Sequence, residues 1–242
     1  MRSRLWPTLI TAALLSVLVG LGTWQVRRLE WKRELIATMD QRMREAPVDA
    51  ASIADGQDAA YRSAVAAGQF LLERTFPLFA VSPAGEGGYR VLTPLRLTDG
   101  RFLLVDRGWV PYAGEYFRPS GPVTVAGVLR PPEHHWSQPA NDPARNEWYG
   151  IDLAAMAKAA GIPGFLPYVL EAGTAANPGG YPIGGRTGVS LVNNHLGYAL
   201  TWYALALALA VIYGLSVFRK GATDCKAAAS AGSSPPPDGP RR

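Results

Sequence analysis

Two windows of the chain run uncharged for longer than a core helix needs: Leu5 to Val26, 22 residues, and Leu196 to Phe218, 23 residues. At a rise of about 1.5 Å per residue, either would cross a hydrocarbon layer of about 30 Å. Trp6 and Trp24 stand at the two ends of the first window, where interfacial aromatics belong. That window exceeds the about 7–15 apolar residues of a signal peptide, and no A-x-A-like site follows it, so an uncleaved anchor is expected. Its helical period also continues outward. Trp24, Arg28, Trp31, Leu35, Met39 and Met43 recur at steps of three and four, which extends the predicted helix to about residue 45, ahead of Pro47.

Between the windows the pattern changes to alternation. Residues 46–60 are small and acidic and read as a loop with room for a short helix. Strands are predicted at 64–71, 76–81, 123–129 and 166–171, beside the unit GYRVLTPLRLTDGRFLLVDRGWVP. Asp99-Gly100 within it suits a two-residue type I′ turn, which would pair Leu97 with Phe102 and Leu95 with Leu104 on one apolar face. One soluble helix is expected over 152–160, with Asp152 as N-cap, Leu153, Met156 and Ala160 on one side, and Gly161 and Pro163 as stops. Residues 173–190 are a Gly/Pro-rich loop, and the tail 221–242 is low in complexity and predicted disordered. The fold class is therefore membrane α plus β: transmembrane helices at 5–26 and 196–218 bracket an antiparallel β-rich extracytoplasmic domain, 46–190, with one short helix.

Charge adds an orientation. Residues 27–195 hold 17 basic and 17 acidic residues, so the net +5 of the chain lies wholly in its two ends. That is a positive-inside bias with cytoplasmic termini and an exported middle, and no nucleic-acid face is implied. Arg27, Arg28, Lys32 and Arg33 oppose this, but Arg219, Lys220 and Lys226 after the second window support it. The single cysteine, Cys225, excludes an intramolecular disulfide and any CxxC copper or thiol-exchange motif.

No nucleophile elbow, Walker loop, HExxH or GxGxxG is present, so no enzyme is indicated. His134 and His135 read as solvent-facing loop residues, Trp109 as core, and Asn141-Asp142-Pro143 as an Asx-type turn. Arg107 is expected to pair with Asp106 or to meet a partner. His195 opens the second window in NNHLGYALTWY, with Tyr198 one turn and Trp202 two turns along. The residues leave three readings of it open: snorkelling to the interface, a hydrogen bond to the other helix, or imidazole ligation of a flat, lipid-soluble macrocycle.

The blocks LGTWQVRRLEWKRELI (21–36), GQF (68–70), GYRVLTPL (88–95), LVDRGWVP (104–111), RPPE, NDPARNEWYGID and NNHLGYALTWY (193–203), in this order, resemble the Surfeit locus protein one family of cytochrome c oxidase assembly factors. The resemblance implies an inner-membrane, multi-pass protein with its central domain facing the periplasm. It implies an assembly factor or chaperone without catalytic turnover. Such a factor acts around insertion of haem a into subunit I of the haem-copper oxidase, beside the haem a synthesis machinery. His195 falls on the motif's histidine, the expected ligand of the haem iron, and Trp202 on its tryptophan. On this reading Tyr198 and Trp202 pack the ring, Trp24 faces them from the first helix, and Arg28 pairs with a propionate. The alternative is a scaffold that stabilises subunit I and touches no haem; a copper chaperone is disfavoured by the missing CxxC.

Overall fold

Helical spacing runs unbroken from the first apolar window into its charged sequel, and so does the helix. In the computed structural model, which describes residues 2–54, 56–82, 84–132, 137–185 and 194–231, α1 spans Arg2–Arg44. Its 43 residues correspond to about 65 Å, twice the hydrocarbon thickness, so only part of it is membrane length. α3 spans His195–Ala231. It continues through residues 221–231, the first part of the segment expected to be disordered; the alanines of KAAASA favour helix enough to extend it. The structure forms two units. One comprises residues 1–35 and 191–242, the other residues 36–190.

The second unit is built from β1 (Val48–Asp49), a short 3-10 turn over Ala50–Ser52, β2 (Ser63–Phe70), β3 (Phe76–Val81), β4 (Gly87–Leu97), β5 (Phe102–Pro111), β6 (Pro122–Arg130), α2 (Leu153–Ala160) and β7 (Val169–Ala172). The sheet order is β1-β2-β6-β7-β5-β4-β3, and β2 also pairs with β4. That additional pairing closes a five-stranded ring, β2-β6-β7-β5-β4, leaving β1 and β3 as outriders. The β5–β7 pairing is parallel, so the sheet is mixed rather than wholly antiparallel.

Closure gives each strand an inside and an outside, and over much of β4 and β5 both are buried. Inward residues Ala64, Ala66, Leu95, Leu97, Leu103, Val105, Leu129 and Leu170 fill the ring. On the outer face, Leu92, Leu104 and Val169 pack with Phe76, Leu78, Trp148 and the α2 residues Met156 and Ala160. This two-sided burial explains why β4 and β5 read as continuous apolar runs rather than alternations.

The hairpin differs from its sequence reading. Leu95 pairs with Leu103, Pro94 with Leu104 and Arg96 with Phe102, one residue away from the expected register. The loop is three residues long: the Leu97 N–H donates to the Arg101 carbonyl, and Gly100 takes φ +88°. Asp-Gly suits a type I turn followed by a left-handed glycine as well as it suits type I′. The shift sends Leu104 to the outer cluster while Leu95, Leu97 and Leu103 stay inside, the face exchange a one-residue slip entails.

α2 begins where its cap dictates. The Asp152 carboxylate accepts from the Ala155 N–H at 2.9 Å, and Gly161 ends the helix in the left-handed conformation. Asp152→Ala is expected to lower stability by about 1 kcal/mol, read as a fall in the denaturant midpoint with unchanged slope.

Candidate functional site

Antiparallel pairing of α1 and α3 within the first unit organises the candidate site. Along α3 the more enclosed positions are His195, Ala199, Trp202, Ala206, Leu209 and Tyr213, at alternating steps of four and three. Along α1 they include Leu15, Leu18, Gly22, Gln25 and Leu29, at the same steps. This is the seam of a left-handed helix pair, with small residues admitting close approach. At Gly22, an added Cβ would lie 2.8 Å from the Tyr203 ring. The Tyr203 hydroxyl is 3.2 Å from Thr23 Oγ1, and Tyr213 meets Thr8 further along. Within the two uncharged windows the remaining surfaces, among them Leu9, Leu14, Leu207 and Ile212, are largely apolar and exposed, as lipid-facing surfaces are.

At one end of this seam His195 Nδ1 lies 2.7 Å from Gln25 Oε1. A side-chain carbonyl can only accept, so with Oε1 as the contact atom Nδ1 carries the proton and Nε2 keeps its lone pair. Nε2 has no hydrogen-bond partner among the described residues. A carbonyl oxygen holding the second nitrogen is the usual support of a metal-bound imidazole. His195 would therefore suit ligation of a porphyrin iron through Nε2, with Gln25 setting its tautomer and ring plane. Gln25 was invisible to the sequence reading. Its signal was the continuation of the seam Gly22, Gln25, Leu29, which the run of Trp and Arg beside it obscured.

The other expected site residues divide. Trp202 lies on the seam two turns from His195, partly enclosed. Tyr198 is 57% exposed and lines a shallow groove of about 440 Å³ with Asn194, Gly197 and Thr201. Trp24 is 56% exposed, beside Gln25 but off the seam. The Arg28 guanidinium stacks on Trp31, 3.9 Å from the ring centroid. The structure thus joins His195 to Gln25 and Trp202, and leaves Trp24, Arg28 and Tyr198 on exposed flanks. His134 and His135 lie outside the described residues.

In the β-rich unit, the acids Asp106 and Glu171 are register partners on β5 and β7. Arg90 Nε donates to Asp106 Oδ2 at 2.6 Å and Arg90 Nη2 to Glu171 Oε1 at 2.9 Å, while Arg130 Nε is 2.7 Å from Glu171 Oε2. Burial raises the Glu171 pKa, against the pull of Arg90 and Arg130. Burial likewise opposes the Arg90 charge, but the two carboxylates outweigh it and hold its pKa above the ordinary value. Both acids are committed to a guanidinium, an arrangement for cross-linking strands rather than for moving protons. Arg107 does not join them. Neighbours on a strand face opposite ways, so Asp106 turns outward to Arg90 and Arg107 turns into the ring.

The conspicuous loop motif is structural. Asn141 Oδ1 accepts from the N–H groups of Tyr149 and Gly150, and Asp142 Oδ1 from those of Ala144 and Arg145, the Asx-type turn expected. Trp148, at its end, is fully buried against Phe76 at a centroid distance of 5.1 Å. Trp109 is core as well.

Two helices long and apolar enough to cross a membrane, at Leu5–Arg44 and His195–Val217, with a β-rich domain between them in sequence, fit a membrane protein. The SURF1 family model matches residues 12–207. A SURF1-like protein of Monosiga brevicollis is 36% identical over 237 residues, covering 86% of this chain and 87% of that protein. Surfeit locus protein 1 of Mus musculus is 36% identical over 217 residues, 80% and 70% of the two chains, and that of Homo sapiens 35% over 219 residues, 80% and 72%. The chain belongs to the SURF1 family.

Proposed function

We propose that this chain is an assembly factor for cytochrome c oxidase that takes haem a at the His195 end of its helix pair and assists its insertion into subunit I. Family membership supports the assembly role, and one observation carries the haem role: the 2.7 Å contact between His195 Nδ1 and Gln25 that leaves Nε2 uncommitted. Iron in the haem supplies an open coordination position for imidazole; the protein's part is to hold, orient and release. A single imidazole ligand suits release better than two would. Trp202 offers a flat face two turns away, and the exposed apolar flanks with Tyr198 and Trp24 suit a greasy ring that lies partly in lipid. Arg28 would exchange its Trp31 contact for a propionate. No catalytic turnover is part of this reading.

On this reading the termini are cytoplasmic, residues 46–190 periplasmic and both spans in the inner membrane, and the charge bias supports the orientation. Subunit I and the haem a synthesis machinery are the partners proposed. A reporter fused after Arg242 is expected to give a cytoplasmic signal; a periplasmic one reverses the topology.

The haem role is tested by absorption spectra of protein purified from cells that make haem a. The native chain is expected to carry pigment, and His195→Ala to lose most of it. Gln25→Leu is expected to weaken retention about 10–100-fold, the usual effect of removing a ligand's support. Equal pigment in native and His195→Ala protein rejects the ligand assignment. Absence of pigment in both favours a scaffold for subunit I.

A further inference from the structure

Among the described residues of the β-rich unit, one charged side chain is buried without a counter-ion. Arg107 on β5 is 5% exposed. Val105 before it points into the ring, so Arg107, two residues on, points inward at the ring's end. Its Nη2 donates to the Phe117 carbonyl, and its guanidinium lies over Phe70 at 5.1 Å and Tyr116 at 5.7 Å. Nη1 is buried with no hydrogen-bond partner among the described residues, and no described carboxylate pairs with the group. Burial lowers its pKa, with Tyr116 opposing and Arg118 reinforcing that shift. A lone buried cation is among the most costly arrangements a fold can keep, and hydrogen bonds to one carbonyl and ring faces offset only part of the cost.

Arg107 also lines a cleft of about 440 Å³ at the ring's mouth, within the size range of small-molecule sites. Phe70, Phe117, Val123, Val125 and Ala172 give the cleft a mainly apolar wall. Residues 70, 123, 125 and 172 continue the inward-facing series of β2, β6 and β7, so the mouth is where the ring's core opens. β2, β6 and β7 each have a strand neighbour on both sides, with β6 meeting β7 over Gly127–Arg130 only.

We propose that the mouth of the ring is a binding site for a small monocarboxylate with an apolar body, its carboxylate paired with Arg107 and its hydrocarbon part against Phe70, Phe117 and Val123. A guanidinium matches a carboxylate with two parallel hydrogen bonds, and the missing counter-charge is what the ligand brings. The site is formed wholly by residues of the β-rich unit, and the proposal stands whether or not haem binds at His195.

The test uses the full-length chain in detergent with 3-phenylpropionate as probe and 3-phenylpropan-1-ol as its neutral match, read by saturation-transfer NMR and melting temperature. The acid is expected to bind saturably, one per chain, and to raise the melting temperature, with the alcohol at least about tenfold weaker, the scale of one charged hydrogen-bonded contact. Arg107→Gln is expected to retain the native circular dichroism and to bind acid and alcohol equally weakly. If that variant does not fold, Ala172→Leu, which fills the mouth and keeps the guanidinium, is expected to lose acid binding instead. Equal binding of acid and alcohol by the native chain, no saturable binding of the acid, or native affinity in the variants overturns the proposal, as does binding of an acidic peptide in place of the acid.

Discussion

Arg90→Met is expected to destabilise the β-rich unit by about 3–5 kcal/mol, and by more at neutral than at acid pH. Asp106 and Glu171 face each other across β5 and β7, and Arg90 reaches both from β4. The Asp106 side chain is 7% exposed. Removing the cation leaves two enclosed carboxylates side by side, each opposing the other's charge. Arg130 still holds Glu171 but does not reach Asp106. In the variant Glu171 loses the Arg90 cation that draws its pKa down, so its carboxyl must titrate higher than in the native chain. The deficit is full where that carboxyl is ionised and shrinks as pH falls through its raised value. In the native chain the raised Glu171 pKa already means that this group favours folding below its ordinary range, a contribution lost as pH rises through the raised value. Thermal unfolding of both proteins at about pH 4 and about pH 7 checks this. A loss under about 1 kcal/mol, or one independent of pH, shows that the pair gains little from Arg90.

What could be read from sequence follows the range of the interactions involved. The two apolar windows, the Asp152 cap with its Gly161 stop, and the strand at 76–81 are local, and the elements found there match. The 99–100 turn was local too, yet ambiguous, since one dipeptide serves loops of two and three residues; the register then differed by one and Leu104 changed faces. Non-local features were out of reach. Nothing near Gly68 announces that β2 closes on β4, and nothing in DRGWVP tells which of Asp106 and Arg107 turns inward. At the candidate site the histidine stood out because polar residues are rare beside a span, whereas Gln25 becomes meaningful only when α1 lies antiparallel to α3. Trp24 shows the converse: helical spacing placed it in a stripe, but the stripe that faces α3 runs through Gly22, Gln25 and Leu29.

The ring's closure makes Gly68→Ala the second large expected effect. Gly68 is opposite Leu97 on β4 and Val123 on β6 at once, so it sits where β2 passes from one partner to the other. A Cβ there would lie 2.1 Å from the Arg96 carbonyl oxygen and 3.1 Å from Leu97 Cα. Both neighbours are backbone, held in place by the β4–β5 ladder, so the clash is relieved only by parting β2 from β4. That opens the seam over Ala66, Leu95 and Leu97, and a loss of about 2–4 kcal/mol is expected, at the upper end of single-methyl overpacking. Gly164→Ala is the control, because a Cβ at Gly164 meets nothing within 4 Å and its stability should stay within about 0.5 kcal/mol of native. Hydrogen exchange adds the location. The Leu71 N–H, bonded to the Pro94 carbonyl at 2.9 Å across this junction, should exchange faster in Gly68→Ala while the β6–β7 amides change less. Equal stability of the two variants, with unaltered exchange at Leu71, would mean that β2 and β4 do not approach so closely and that the sheet is open along that edge.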